Sequence, residues 1–341
     1  MNILSIETSC DETSVCVSYN GVNIKSLIIS SQIDLHSPYF GVVPELASRA
    51  HIENINFVIK RALDEAKISF DSFANQIDAI AFTAGPGLAG ALLVGNLAAR
   101  TLAFAYRKPL ISVHHLEGHL YSSFIENGIV KTPFLGVIVS GGHTELILVE
   151  DFGKYKILGA TRDDAAGEAF DKAAKMLGLS YPGGPVIDKR AAKGNPDAVF
   201  FTRPYLKGSW DFSFSGIKTA LLNYLKKCPI RNDKDLNDIC ASFRQAICET
   251  ISVKSFEAAK KYKLKRIVLG GGVCANSLMR KQFADLSVQN SIKVFMPSLL
   301  YCGDNAAMIG LGAYLKWKKC GFSRAQRQLE SSPNLPLQNW N

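Results

Sequence analysis

The sequence predicts an α/β protein of two related lobes around a cleft. Three observations carry this. A chain of 341 residues is long enough for about two hydrophobic cores. A strand–turn–strand–strand–helix pattern opens the chain. The same pattern returns after Thr132-Pro133, as it would if one layered unit had been duplicated. With 47% hydrophobic and 20% charged residues, the composition is that of an ordinary globular protein and excludes a disordered one.

Taken in order, residues 2–6 read as a strand, 7–13 as a polar turn, and 14–19 and 23–31 as two further strands. This is an antiparallel meander and not an immediate βαβ unit. An amphipathic helix is expected over 44–67, with Leu46, Ile55, Val58, Ile59 and Leu63 on its inner face. Residues 79–99 carry no charge and could be scored as a membrane span. Gly85-Pro86-Gly87 divides that run into a strand (78–84) and a helix (88–106), which accounts for its apolarity without lipid. A short strand over 110–113 follows. In the second half, 134–139, 145–149 and 155–159 read as strands and 165–177 as a helix. Further on, strand 266–269 leads through Gly270-Gly271-Gly272 into a helix over 275–286. The expected division is an N-terminal lobe over 1–130, completed by a C-terminal helix, a C-terminal lobe over 131–330, and a loose tail over 331–341.

The start of the chain lacks the basic, apolar pattern of a secretory signal. Its eight cysteines are scattered with no C-x-x-C pair, as expected of reduced thiols in a cytoplasmic protein. A net charge of +9 favours a polyanionic partner such as RNA. The densest basic run is Lys260, Lys261, Lys263, Lys265 and Arg266, followed by Lys316, Lys318 and Lys319, although such runs are also ordinary solvated faces.

Three of the six histidines fall in His114-His115-Leu116-Glu117-Gly118-His119. His115 and His119, four apart, would project from one helical face and could clamp a metal ion; the alternative is a hydrogen-bonded helix-end cluster. Glu117 and Gly118 break the H-E-x-x-H order of zinc proteases, so a metal here need not mean peptide hydrolysis. The Gly-Gly of Ser140-Gly141-Gly142-His143-Thr144 would let backbone N–H groups cradle an oxyanion, or simply close a hairpin. The side chains of Glu7-Thr8-Ser9-Cys10-Asp11-Glu12-Thr13 could face the same cleft or cap one another. Gly85-Pro86-Gly87-Leu88-Ala89-Gly90 matches G-x-G-x-x-G, but Pro86 removes a donor and no acid follows at the ribose position, so it reads as close packing. Asn276, after the triple glycine, could meet a ribose or base edge or cap its helix. Asp164, Glu168 and Asp171 share one helical face, and Asp304 stands before the last helix as an N-cap or a third metal ligand.

Together these segments resemble the bacterial TsaD family of tRNA adenosine threonylcarbamoyltransferases, relatives of the KEOPS catalytic subunit. The matching stretches are Ile6 through Thr13, Gly41 through Arg49, Thr83 through Leu88, the histidine segment, Val139 through Thr144 and Asp164 through Lys172. Tyr181 through Pro185, Phe212 through Thr219, Gly271 through Asn276 and Cys302 through Asn305 complete the set, which spans nearly the whole chain. Departures are mild: Cys274 stands where serine or alanine is commoner, and Glu145 where glutamine is frequent.

The resemblance implies an actin/Hsp70/sugar-kinase-like fold, a duplicated RNase H-like architecture. It implies one divalent metal ion per subunit, Fe(2+) ahead of Zn(2+), held by His115, His119 and Asp304. It further implies an acyl-adenylate contacted by Ile138, Val139, Ser140, Gly141 and Gly142, and by Asp171, Gly184, Asp188 and Asn276. The implied reaction moves a threonylcarbamoyl group from threonylcarbamoyl-AMP to tRNA, on the exocyclic amine of the adenosine 3′ of the anticodon in tRNAs reading codons that begin with A. The implied partners are a paralogous TsaB-like subunit and a TsaE-like small ATPase, with no membrane. Two rivals stand beside this reading. An ATP-dependent phosphotransferase of the same fold is disfavoured by imidazoles where Mg²⁺ would want oxygen. A non-catalytic scaffold is disfavoured by the intact histidine and Asn276 motifs.

Overall fold

A computed structural model describes residues 1–203, 208–325 and 330–340. The chain divides into two compact units. The first comprises Met1–Thr132, Asp151–Tyr155 and Gly303–Asn341; the second comprises Pro133–Glu150 and Lys156–Cys302.

In the first unit the opening meander forms as expected: β1 (Asn2–Glu7), β2 (Glu12–Tyr19) and β3 (Asn23–Ser31) pair antiparallel. The turn-length helix α1 (Ile33–His36) precedes α2 (Pro44–Glu65), and a second such helix, α3 (Phe73–Gln76), follows it. β4 (Ala79–Gly85), α4 (Ala89–Tyr106), β5 (Leu110–His114), α5 (His115–Tyr121) and α6 (Phe124–Asn127) come next. β4 pairs in parallel with β1 and with β5, giving the sheet order β3-β2-β1-β4-β5.

Alternation along these strands divides the core. Leu4, Ile6, Ile80 and Phe82 meet Val58, Ile59 and Leu63 of α2, while Ile3, Ala79, Ala81, Ile111 and Val113 meet the chain's last helix. Each of the valine, leucine, isoleucine and phenylalanine side chains taken fully out of water stabilises the fold by about 1.5–3 kcal/mol. α4 has the length and apolar composition to cross a membrane. Its Ala91, Leu92, Gly95, Ala99 and Ala103 are buried, however, and it packs on α2 and β4 as a sheet-covering helix.

The second unit repeats the plan. It holds β6 (Phe134–Val139), β7 (Thr144–Asp151), β8 (Lys154–Ala160), α7 (Ala166–Met176), α8 (Gly183–Ala191), α9 (Ser215–Lys227), α10 (Asp233–Lys261), β9 (Arg266–Gly270), α11 (Ser277–Asn290) and β10 (Lys293–Phe295). Its sheet order, β10-β9-β6-β7-β8, is that of the first sheet with corresponding strands exchanged. Leu135, Val137, Val139, Leu146, Ile267 and Leu269 join Phe170, Phe243, Ile247 and Phe283 in one core. No helix or strand was expected between residues 178 and 265. The main element there, α10, is buried on several sides, with Asp238, Arg244 and Lys254 among its covered residues, so no single apolar stripe announces it.

The last helix, α12 (Ala306–Ala325), belongs to the first unit and carries a non-helical residue at Gly321. It lies against that sheet because Gly310 faces Ser5 and Ser18, and Gly312 faces Val113, where a Cβ would come within 2.8 Å of the valine. The tail differs from the loose segment expected. Ser332 N–H donates to the Ala84 carbonyl and Trp340 N–H to the Gly153 carbonyl, both at 2.8 Å. Leu335 packs on the core of the first unit. Hydrogen bonds to fixed backbone, absent from any local sequence pattern, are what order it; Asn341 lies outside the described residues.

Candidate metal centre and nucleotide cradle

β5 runs directly into α5. His114 caps that helix, its Nδ1 accepting the Leu116 N–H at 3.2 Å. The four-residue spacing then stacks His115 over His119, with ring centroids 4.7 Å apart and planes at 80°. Asp304 enters from the loop before α12. Its Oδ1 lies 3.0 Å from His119 Nε2 and 3.6 Å from His115 Nε2. One donor atom from each of the three residues lies within 4.8 Å of the other two. The cap of α12 is Asn305, whose Oδ1 accepts the Met308 N–H, so Asp304 does not serve as that cap.

The donor set fits a divalent cation. His119 is fully buried; among the described residues its Nδ1 has no hydrogen-bond partner, and its Nε2 is near Asp304 without making a hydrogen bond to it. Leaving such a group unsatisfied costs about 1–3 kcal/mol, which a cation on the lone pair would offset. The charge around it points the same way. Glu12 is held well above the ordinary carboxylate range by burial and by the nearby charges of Asp304 and Asp11. Burial and the Asp11 and Asp304 carboxylates likewise raise the Cys10 thiol.

Glu7 was not singled out from the sequence as a site residue, and it stands directly behind His115. Its Oε2 lies 3.2 Å from His115 Nδ1 and accepts the Thr83 hydroxyl at 2.6 Å. Ser9 Oγ also lies 3.2 Å from His115 Nδ1, and Ser9 N–H donates to Glu7 Oε1. Burial opposes a charged His115, but the carboxylates of Asp304 and Glu7 win and raise its pKa to about 9. Burial also opposes a charged Glu7, and His115 prevails there, holding the acid below its usual range. The available signal was an acid ending an otherwise apolar strand. His51 braces the following turn, with Nε2 donating to the Cys10 carbonyl at 2.9 Å and Nδ1 accepting from the Thr13 hydroxyl at 2.7 Å.

The other predicted residues lie in the second unit. Ile138 and Val139 are buried in β6, so only their backbone could meet a ligand. Ser140 spends its N–H on the His143 carbonyl at 2.8 Å, leaving Gly141 and Gly142 as the exposed crest of the turn. Gly167 packs so close beneath that a Cβ would lie 2.7 Å from the Ser140 carbonyl oxygen. Gly271 (φ +97°) brings the triple-glycine loop against Val139. Asp171 accepts the Gly183 N–H at 2.7 Å and so ties α7 to the start of α8, where Gly184 faces open space.

Asp188 and Asn276 are linked through Ser277, whose N–H and hydroxyl both donate to the Asp188 carboxylate at 3.0 Å. Arg244 closes the other side of Asp188 at 2.7 Å. Asp188 therefore acts first as a brace for the loop. Asn276 caps α11, its Oδ1 accepting the Leu278 and Met279 N–H groups at 3.1 Å. Those two bonds engage only the carboxamide oxygen.

Two α/β units of one sheet order, one of them bearing a His–His–carboxylate set, define a protein of the actin/Hsp70/sugar-kinase fold class with an imidazole-containing metal-type donor set. Solved structures agree on the fold. HypF in its phosphate- and nucleotide-bound form has a TM-score of 0.60 at 14% identity over 93% of this chain, which spans about half of that longer chain (55%). The activator of the 2-hydroxyisocaproyl-CoA dehydratase from Clostridium difficile has a TM-score of 0.54 at 12% identity, covering 94% of this chain and 96% of that one. The family model for TsaD, tRNA N6-adenosine threonylcarbamoyltransferase, matches residues 23–311. A protein of that description from Endomicrobium trichonymphae is 71% identical over 340 residues, covering 100% of this chain and 99% of its own. One from Clostridium perfringens is 49% identical, with 98% of each chain covered. The chain belongs to the TsaD family and is a transferase.

Proposed function

We propose that the chain transfers a threonylcarbamoyl group from threonylcarbamoyl-AMP to the exocyclic amine of the adenosine 3′ of the anticodon in tRNAs reading codons that begin with A. The amine nitrogen attacks the carbamoyl carbonyl carbon, the bond from that carbon to the phosphate oxygen breaks, AMP leaves and the amine loses one proton. The observation that carries the reading is the convergence of His115, His119 and Asp304 in a chain of this family.

Those three residues would hold the metal. Two imidazoles and one carboxylate suit Fe(2+) with open positions, and Zn(2+) second. A metal so held supplies a Lewis acid for the carbamoyl or phosphate oxygen. Glu7 would keep His115 in the tautomer that presents Nε2. In the second unit, the N–H groups of Gly141 and Gly142 would hold the adenylate phosphate. Asn276, fixed by its capping bonds, and Asp171 with Gly184 would hold the nucleoside, while Asp188 keeps the Asn276–Ser277 loop in place. The backbone of Ile138 and Val139 ends the strand that presents this turn. An anticodon-loop base can be splayed out at modest cost, and the net charge of +9 suits a polyanion.

A TsaB-like paralogue is the partner we infer for the exposed apolar residues of α4, Leu93, Leu97 and Phe104, together with Ile52 and Phe57 of α2. A TsaE-like ATPase would act with that pair. All eight cysteines are free, as suits the reducing cytoplasm.

The test is nucleoside mass analysis of unmodified tRNA incubated with the protein, its partners and synthetic threonylcarbamoyl-AMP. Threonylcarbamoyladenosine should form, and should vanish with His119→Ala. Its absence with all partners present would overturn the assignment.

A further inference from the structure

α5 is only seven residues long, too short to hold its shape unaided, yet it carries both histidines of the donor set. Its outer support comes from the far end of the chain. Residues 331–340 run over the first unit as a strap. Asn96 Nδ2 donates to Ser331 Oγ at 2.8 Å, Gly87 N–H to the Pro333 carbonyl at 3.1 Å, and His114 Nε2 to the Leu335 carbonyl at 2.9 Å. Tyr155 N–H donates to Asn339 Oδ1 at 2.7 Å. Two glycines make room for it. A Cβ on Gly85 would lie 2.0 Å from the Ser332 carbonyl oxygen, and one on Gly153 would lie 2.2 Å from the Trp340 ring.

The strap ends on α5. Trp340 Nε1 donates to Glu117 Oε1, and Glu117, only 2% exposed, sits midway between His115 and His119 in sequence. Two residues along a helix is close to half a turn, so Glu117 projects from the side opposite the two imidazoles. Tyr155 meets the Trp340 ring edge-on, with centroids 6.5 Å apart, and its hydroxyl pairs with that of Tyr121, the last residue of α5.

We propose that Trp340 and Glu117 are positioning residues for the metal centre: the bond from the strap's indole to Glu117 sets the rotation of α5 and so aims His115 and His119 at a common point. This rests on the reading of His115, His119 and Asp304 as metal ligands. Neither residue of the pair would touch the metal; their effect passes through the helix.

The experiment is a Co²⁺ titration of the metal-free, full-length protein, read by the visible d–d absorption of the bound ion, with thermal unfolding of each metal-free variant alongside. Trp340→Phe keeps the ring and removes the donor. It should weaken Co²⁺ binding about tenfold or more, as loss of a ligand's supporting contact does, and alter the band shape, while the metal-free protein melts near the wild-type temperature. Glu117→Leu, which also takes the acid from Tyr155 and Lys316, should bind Co²⁺ at least as weakly, and the double variant should bind no worse than Glu117→Leu alone. Glu117→Gln keeps the acceptor and should restore wild-type binding. If Trp340→Phe and Glu117→Leu bind Co²⁺ like wild type while His119→Ala does not, the positioning role is overturned and the metal reading stands. If His119→Ala binds as tightly as wild type, the metal reading falls and takes the positioning role with it.

Discussion

The carboxylate of Glu7 reaches to 3.2 Å from Nδ1 of His115, joining the end of the first strand to a helix 108 residues later. A carboxylate on the far nitrogen orients a ligating imidazole and raises its basicity, and removing one typically weakens metal binding about 10–100-fold. Glu7→Ala should therefore lose affinity in that range when a chelator competes for bound Co²⁺. Unchanged affinity would reduce Glu7 to a packing role.

Removing the metal should act like removing a ligand. Exhaustive chelation should abolish tRNA modification, and Fe(2+) or Zn(2+) should restore it to the wild type but not to Asp304→Ala. Because Asn305 and not Asp304 caps α12, Asp304→Ala should leave the helical content of the metal-free protein unchanged by circular dichroism. Full turnover by chelated protein would exclude a metal from the reaction.

Most of the strands and the His115/His119 pair were legible in the sequence because each rests on a local pattern, whereas the three-residue edge strand β10 was not expected. Alternation marked β2, a short apolar run bounded by turns marked β6, and the i, i+4 spacing marked His115 and His119. By sequence alone Asp304 could be either an N-cap or a third ligand, since its approach to α5 is a tertiary fact. Glu7 stood out no more than its neighbours in the polar turn, because its pairing with His115 spans 108 residues of sequence. The tail was misread for the same reason. Residues 331–340 have no periodicity, and what orders them is backbone of the first unit, at Ala84, Gly87 and Gly153. Asn276 was open to two readings, and the structure shows the one that is local: its side chain caps α11.

Gly271 should tolerate no side chain. Its φ of +97° is strained for any L residue, and a Cβ would lie 2.4 Å from the Val139 carbonyl oxygen. Gly271→Ala should destabilise the second unit by about 1–3 kcal/mol in a urea titration. It should also raise the KM for the adenylate more than it lowers kcat, because the displaced loop carries Asn276. A wild-type KM would separate that loop from substrate binding.

Acid should loosen the start of α9. Burial raises the Asp163 carboxyl, but the Ser213 and Ser215 hydroxyls and the Phe214 and Ser215 N–H groups outweigh it and hold the group below its ordinary 3.8. Lys172 and Lys218 similarly overcome the burial of Asp164. A depressed folded-state pKa contributes stability that is present above the ordinary value and lost as pH falls through the depressed one. Melting temperature should thus drop below about pH 4, and Asp163→Asn should flatten that limb while lowering the plateau near neutrality. A variant with the wild-type acid limb would place the sensitivity elsewhere.

The tRNA interaction should be governed by salt. With a net charge of +9, most of the affinity for a stem–loop substrate would come from displaced counterions. Each phosphate neutralised contributes about −0.7 to −0.9 to the slope of log K against log salt, so filter binding between about 50 and 200 mM salt counts the contacts. Charge reversal at Lys260, Lys261 and Lys263 should reduce that slope by up to about three if this run touches RNA, and leave it untouched if the run is only a solvated face. The two outcomes differ most at low salt, where the electrostatic part of binding is largest. A slope near zero for the wild type would remove electrostatics from recognition and leave shape and base contacts to supply the affinity.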